Sequence, residues 1–152
     1  MKRLSLYFLI LLCLNSCKSN PQEALVLGTW YNESLMVELD AKSGKIDSVF
    51  SVPAGDWEVV MQIKPIETTY ASDGTYASDY ISLEGEKIQS ANGEWKIEGD
   101  TLYLKEKDKT TAYHFQWLEG IAVFRGYLDW DNDGLEDDLY TSVQVKRSIN
   151  FK

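Results

Sequence analysis

Apolar and polar residues alternate with a period of two along much of this chain. Trp57, Val59, Met61 and Ile63 share one parity, with Glu58, Gln62 and Lys64 on the other. Trp95 and Ile97 alternate with Glu94, Lys96 and Glu98, and Leu102 and Leu104 with Thr101, Tyr103 and Lys105. Tyr113, Phe115 and Trp117 alternate with Ala112, His114 and Gln116. Leu139, Thr141, Val143 and Val145 alternate with Tyr140, Ser142 and Gln144. A period of two places one set on each face of a strand, so these stretches predict half-buried strands. Turn signals separate them: Asp73-Gly74, Glu84-Gly85, Asn92-Gly93, Gly99-Asp100 and Glu119-Gly120. Each offers a residue able to take positive φ.

Strands spaced about ten residues apart and joined by short turns predict an all-β antiparallel up-and-down meander. Closure into a small barrel of about 8–10 strands removes exposed edges. The clearest hairpin runs from Trp95 to Leu104. No stretch predicts a long helix; Ser43-Gly44 interrupts Asp40 to Asp47, which is expected to be a loop. Three Gly-x-Trp triplets occur: Gly28-Thr29-Trp30, Gly55-Asp56-Trp57 and Gly93-Glu94-Trp95. The expectation is that glycine makes a turn and the indole enters the core as a strand begins.

The N-terminus follows a different pattern. Met1-Lys2-Arg3 precedes an apolar run from Leu4 to Leu14, then Asn15-Ser16-Cys17. A basic start, a short apolar stretch and a small residue before the cut describe a secretory signal. The run is shorter than the roughly 17–25 residues that span a bilayer. Leu14-Asn15-Ser16-Cys17 resembles the lipobox of bacterial lipoproteins, which implies cleavage before Cys17 and lipid attachment to it. The expected layout is a signal peptide over 1–16, a lipidated Cys17 with a polar tether over 17–24, and a domain over 25–152. Multiple acyl chains, palmitate among them, give stable anchoring. The expected location is the bacterial cell envelope, lipid-anchored, with the cell outer membrane favoured.

Charge narrows the partners. Loss of Lys2 and Arg3 leaves 13 basic residues of 15 against 24 acidic ones, a net charge of −11 for the processed chain. Such a surface repels nucleic acid and anionic headgroups, so no nucleic-acid partner is expected and membrane contact falls to the lipid. The chain has two cysteines. Cys13 lies in the leader and Cys17 is the lipid site, so no disulfide or cysteine metal site is expected.

Leu27-Gly28-Thr29-Trp30, together with the Gly93 to Leu104 hairpin and the lipobox, resembles the lipocalin-like lipoproteins of Bacteroidetes-type bacteria. The resemblance implies a lipocalin-like β-barrel and binding of a small apolar or amphiphilic molecule. In lipocalins the first-strand tryptophan closes one barrel end beneath an arginine or lysine from the last strand. Trp30 and Arg147 are the candidates here. The chain lacks the lipocalin Thr-Asp-Tyr motif. A usable cavity and an interior filled by Trp57, Trp95, Tyr113, Phe115, Trp117 and Tyr127 both fit the pattern. The second alternative is a non-catalytic structural or interaction lipoprotein with a calcium-stabilised loop.

That loop is Asp129-Trp130-Asp131-Asn132-Asp133-Gly134-Leu135-Glu136-Asp137. Calcium takes six to eight oxygen ligands in a flexible loop. Asp129, Asp131, Asp133 and Asp137, with the main-chain oxygen of Leu135, supply that chemistry, and Gly134 supplies the turn. The run resembles the calcium loops of integrin-type propeller repeats, which lie between strands. Its alternative is a solvated acidic turn. No motif for an enzyme is present, and His114 is expected on a polar strand face, so the chain is expected not to be an enzyme.

Overall fold

A computed structural model describes residues 20–147, so the leader, Cys17 and residues 148–152 lie outside it. The fold is all-β, an eight-stranded closed antiparallel barrel with one extra strand. The chain begins with helix α1 (Pro21–Val26), followed by β1 (Gly28–Glu38), β2 (Val49–Val52) and a short helix α2 (Trp57–Met61). The remaining strands are β3 (Glu67–Tyr70), β4 (Thr75–Ile81), β5 (Lys87–Glu98), β6 (Thr101–Glu106), β7 (Lys109–Leu118), β8 (Ile121–Leu128) and β9 (Asp138–Lys146).

Each strand from β3 to β9 pairs with the next, and β9 returns to β1 to close the barrel. The other edge of β1 is shared. Its first residues pair with β3 and its last with β2, the extra strand. A bulge between Asn32 and Ser34 in the β1–β9 register bends the strand between these duties. Closure leaves the barrel strands without a long open edge. Among the described residues no helix is long and apolar enough to cross a membrane.

The Trp95–Leu104 hairpin forms as expected, with Trp95 opposite Leu104 and Ile97 opposite Leu102. The Asp40–Asp47 segment contains a single 3-10 turn over Ala41–Ser43. Four expectations need correction. The alternation at Trp57 is a helix, not a strand. Trp57 and Met61, one helical turn apart, face one side and pack with Leu35, Val37 and Val52. Val59 points away and is 73% exposed. Positions i and i+4 share a face in either period, whereas i+2 shares it only in a strand, so tertiary packing selects the helix and leaves Val59 outside.

Asn92-Gly93 is not a turn, because β5 runs straight through it. Gly93 is required for close approach: a Cβ there would lie 2.0 Å from the Lys105 carbonyl oxygen and 3.1 Å from a Tyr76 ring carbon. Tyr127 does not fill the interior, being 41% exposed on the outer face.

The tether is also shorter than expected. Pro21 starts α1, and the Asn20 side chain caps it by accepting from Gln22 N–H at 3.1 Å. Asn20 Nδ2 also donates to the carbonyls of Ile97 and Gly99, fastening the helix to the β5–β6 turn.

Candidate functional site: a half-filled barrel

One end of the barrel is filled. Trp30 is fully buried in a cluster with Val26, Phe115, Leu102 and Phe124. Its ring meets Phe115, Trp117 and Phe124 edge-on, at centroid distances of 6.5, 5.7 and 6.3 Å. These are the T-shaped contacts that ring quadrupoles favour. The indole N–H donates to the Val26 carbonyl at 2.7 Å, so α1 plugs this end and satisfies the tryptophan together.

Arg147 does not pack over Trp30. Lys146 does, with Nζ 5.2 Å from the Trp30 centroid and 5.8 Å from that of Trp117. It also donates to the Leu25 carbonyl at 3.0 Å. Arg147 lies outside, its side chain 63% exposed and 3.8 Å from Glu67. The reason is parity. Trp30 faces Lys146 across β1–β9, and Asn32, Leu35 and Val37 face Gln144, Ser142 and Tyr140. The interior face of β9 is therefore Tyr140, Ser142, Gln144 and Lys146. The face expected inside, Thr141, Val143 and Val145, points outward. There Val145 lies between Tyr31 and Ile121, and Val143 lies beside Val123. Such cross-strand pairs stabilise the outer sheet face. Period two is correct for β9, but its polar side faces inward.

The other end is not filled. A cavity of about 380 Å³ lies among β3 to β9 and the middle of β1. Five tyrosines line it: Tyr70, Tyr76, Tyr80, Tyr113 and Tyr140. Asn32, Thr68, Ser78, Thr111 and Gln144 add polar side chains, with Ile66, Ala91, Leu104 and Phe124 between them. Glu106, Lys107 and Lys109, exposed at the β6–β7 turn, form its rim. Burial pushes the Tyr70 and Tyr113 phenols far above their ordinary value, and neighbouring tyrosines add to the shift. Both are neutral hydrogen-bonding groups at any physiological pH.

A second glycine makes room for these rings. A Cβ on Gly126 would lie 2.5 Å from the Ala112 carbonyl oxygen and 3.2 Å from the Tyr113 ring. Gly126 pairs with Tyr140, and the Tyr113 and Tyr140 rings meet at 5.7 Å. Gln144 is 8% exposed, and its Oε1 has no hydrogen-bond partner. Periodicity alone does not reveal this site, because Gln144 occupies a position that alternation assigns to solvent.

The acidic loop lies at the same open end, between β8 and β9. Its five expected calcium ligands do not form one group. Asp129 and Asp131 gather with Asp138, which has no place in the sequence pattern, with carboxylate oxygens within 4.8 Å of one another. Asp133 and Asp137 gather instead with Asp40, across the 3-10 turn. Leu135 is 57% exposed, and its N–H donates to Asp133 Oδ1 at 2.8 Å. Asp138 is buried because it organises the loop: Oδ2 accepts from Trp130 N–H at 2.7 Å, and Oδ1 from Asp40 N–H at 3.1 Å. Desolvation and then the surrounding carboxylates push the pKa values of Asp40 and Asp137 above the usual carboxylate range.

His114 lies on the outer face as expected, with Nε2 3.1 Å from Asp100 Oδ2. It is not among the residues that line the cavity. No family model matches the sequence, and no curated protein matches it.

Proposed function

We propose that this chain is a lipid-anchored lipoprotein of the bacterial envelope, lipocalin-like in layout, that takes a small amphiphilic molecule into its open end. The role is one of binding, without catalysis. The observation that carries it is the cavity itself, a polar and aromatic space in a barrel whose other half is densely filled. A volume of about 380 Å³ falls within the range of small-molecule sites.

The fold also fits an anchored protein. Leu14-Asn15-Ser16-Cys17 supports lipidation, and only Lys18 and Ser19 separate Cys17 from the Asn20 cap. Asn20 is fastened to the β5–β6 turn at the plugged end. The rim lies at the β6–β7 turn, one strand away, about 20 Å along a six-residue strand. An anchor at Cys17 thus holds the plugged end to the outer membrane and turns the mouth towards water.

Native mass spectrometry of protein made in a lipoprotein-processing bacterium tests both parts. The expected spectrum shows an acylated N-terminus and a retained small molecule. Cys17→Ser should remove the first, and Ala91→Trp, which fills the cavity, should remove only the second. No retained molecule, or one that survives Ala91→Trp, refutes the cavity reading.

A calcium-stabilised loop is a second reading, favoured by one observation. Asp129 Oδ1 is buried without a partner beside the Asp131 and Asp138 carboxylates. A hard cation held by these oxygens would relieve their repulsion and tie β8 to β9. Calcium at 100 times its Kd should stabilise the fold by about 2.7 kcal/mol. Asp131→Asn with Asp133→Asn should abolish the shift in Tm. A parent Tm that ignores calcium removes this reading.

A further inference from the structure

We infer that the cavity selects an uncharged, hydroxylated ring compound rather than a hydrocarbon chain or a fatty acid, an inference that rests on the binding role above. Three observations carry it: an unsatisfied buried group, the surface around it and the distribution of charge.

The first is Gln144. It is more than nine-tenths buried, faces the cavity, and its Oε1 lacks a donor. Its neighbours across the strands are Asn32 on β1 and Ala122 on β8. A buried carbonyl oxygen is costly to leave unpaired. An alkyl chain lying against it would keep it unpaired and also displace any water from it. A hydroxyl or amide N–H supplies the missing donor.

The second is the surrounding surface. Tyr70, Tyr76 and Tyr113, each an aromatic ring with a hydroxyl, lie in the cavity wall. Flat rings and CH-rich faces pack on such walls, while the phenol groups and Asn32 offer further hydrogen bonds. Gly93 and Gly126 are the positions that let Tyr76 and Tyr113 sit where they do. The aromatic wall is therefore built into the backbone.

The third is charge. Among the described residues lining the cavity, ionisable groups other than tyrosine occur only at the rim, as Glu106, Lys107 and Lys109. A carboxylate or ammonium carried to the depth of Gln144 would lose water without gaining a counter-ion. Neutral ligands avoid that penalty.

The test is a binding titration followed by intrinsic fluorescence, using phenol, catechol and 4-nitrophenyl β-glucoside against 1-decanol and dodecanoate. At least one hydroxylated ring should bind more tightly than either chain compound. Gln144→Leu should weaken that binding at least tenfold. The same substitution removes an unpaired buried oxygen, so the unliganded variant should melt no lower than the parent, which separates lost binding from lost folding. Gln144→Asn keeps the chemistry on a shorter stem and should bind better than Gln144→Leu. Tight binding of decanol or dodecanoate, unaffected by Gln144→Leu, would overturn the inference and leave the binding role standing. Failure of all five probes would overturn both.

Discussion

At the plugged end of the barrel the polar groups that meet the central ring cluster have partners, although Gln22 Oε1 on the plugging helix is buried without one. Trp30 Nε1 has the Val26 carbonyl, and Lys146 has the Leu25 carbonyl and two indole faces. At the open end Gln144 Oε1 and Asp129 Oδ1 are buried and unpartnered, although the same strands run through both ends. Strand β9 carries Lys146 into the first environment and Gln144 into the second, one inward position earlier. The contrast separates two uses of a barrel interior. Apolar rings with satisfied tips supply stability, while unsatisfied polar tips around a space supply recognition.

The comparison breaks most sharply at Trp30. Trp30→Ala removes the centre of the plugged end and leaves Lys146 over a void, so chemical denaturation should report a loss of about 3–5 kcal/mol. A loss below about 1 kcal/mol would show that this end does not hold the fold.

Alkaline titration addresses the open end. The folded Tyr70 and Tyr113 phenols titrate above the ordinary value of 10.0, so the unfolded chain releases these protons first. Their contribution is fully present below pH 10 and is lost as the pH rises beyond it. Each such tyrosine steepens the loss by about 1.4 kcal/mol per pH unit. Burial acts in the opposite sense on Lys146, holding its pKa below the ordinary 10.5, so the cost of burying its charge is relieved as the pH rises towards that value. Stability measured against pH should therefore fall above pH 10, more gently in Tyr70→Phe. An unchanged slope in that variant would contradict the burial of this phenol.

The smallest effect distinguishes Lys146 from Arg147. Lys146→Ala should cost about 1 kcal/mol through lost cation–π contact and stem packing. Arg147→Ala should stay within about 0.5 kcal/mol, as exposed substitutions do. Equal losses in equilibrium unfolding would erase the distinction.

The two ends differ also in how legible they are in the sequence. Trp30 is legible through its Gly-x-Trp triplet, while Phe115 and Trp117 alternate with polar residues, and large aromatic residues at that period identify a core strand whatever it packs against. The β5–β6 hairpin is legible for the same reason, with Gly99-Asp100 marking its turn. The open end inverts these rules. Tyr140 and Gln144 point inward because they line a space, and Val143 and Val145 point outward because Val123, Ile121 and Tyr31 cover their sides. Periodicity reports that a strand has two faces, but not which one a polar cavity takes. Lys146 replaces Arg147 for that reason. The calcium-type spacing has a related limit: it brings carboxylates together along the chain but omits Asp40 and Asp138, which the fold carries into the two groups.

Amide chemical shifts during titration with 4-nitrophenyl β-glucoside test the division of the barrel most directly. The account predicts saturable shifts concentrated at Asn32, Thr68, Tyr76, Tyr113 and Gln144, with Val26, Trp30 and Lys146 unmoved. Shifts centred on the plugged end or the outer face, or none at millimolar ligand, would contradict it.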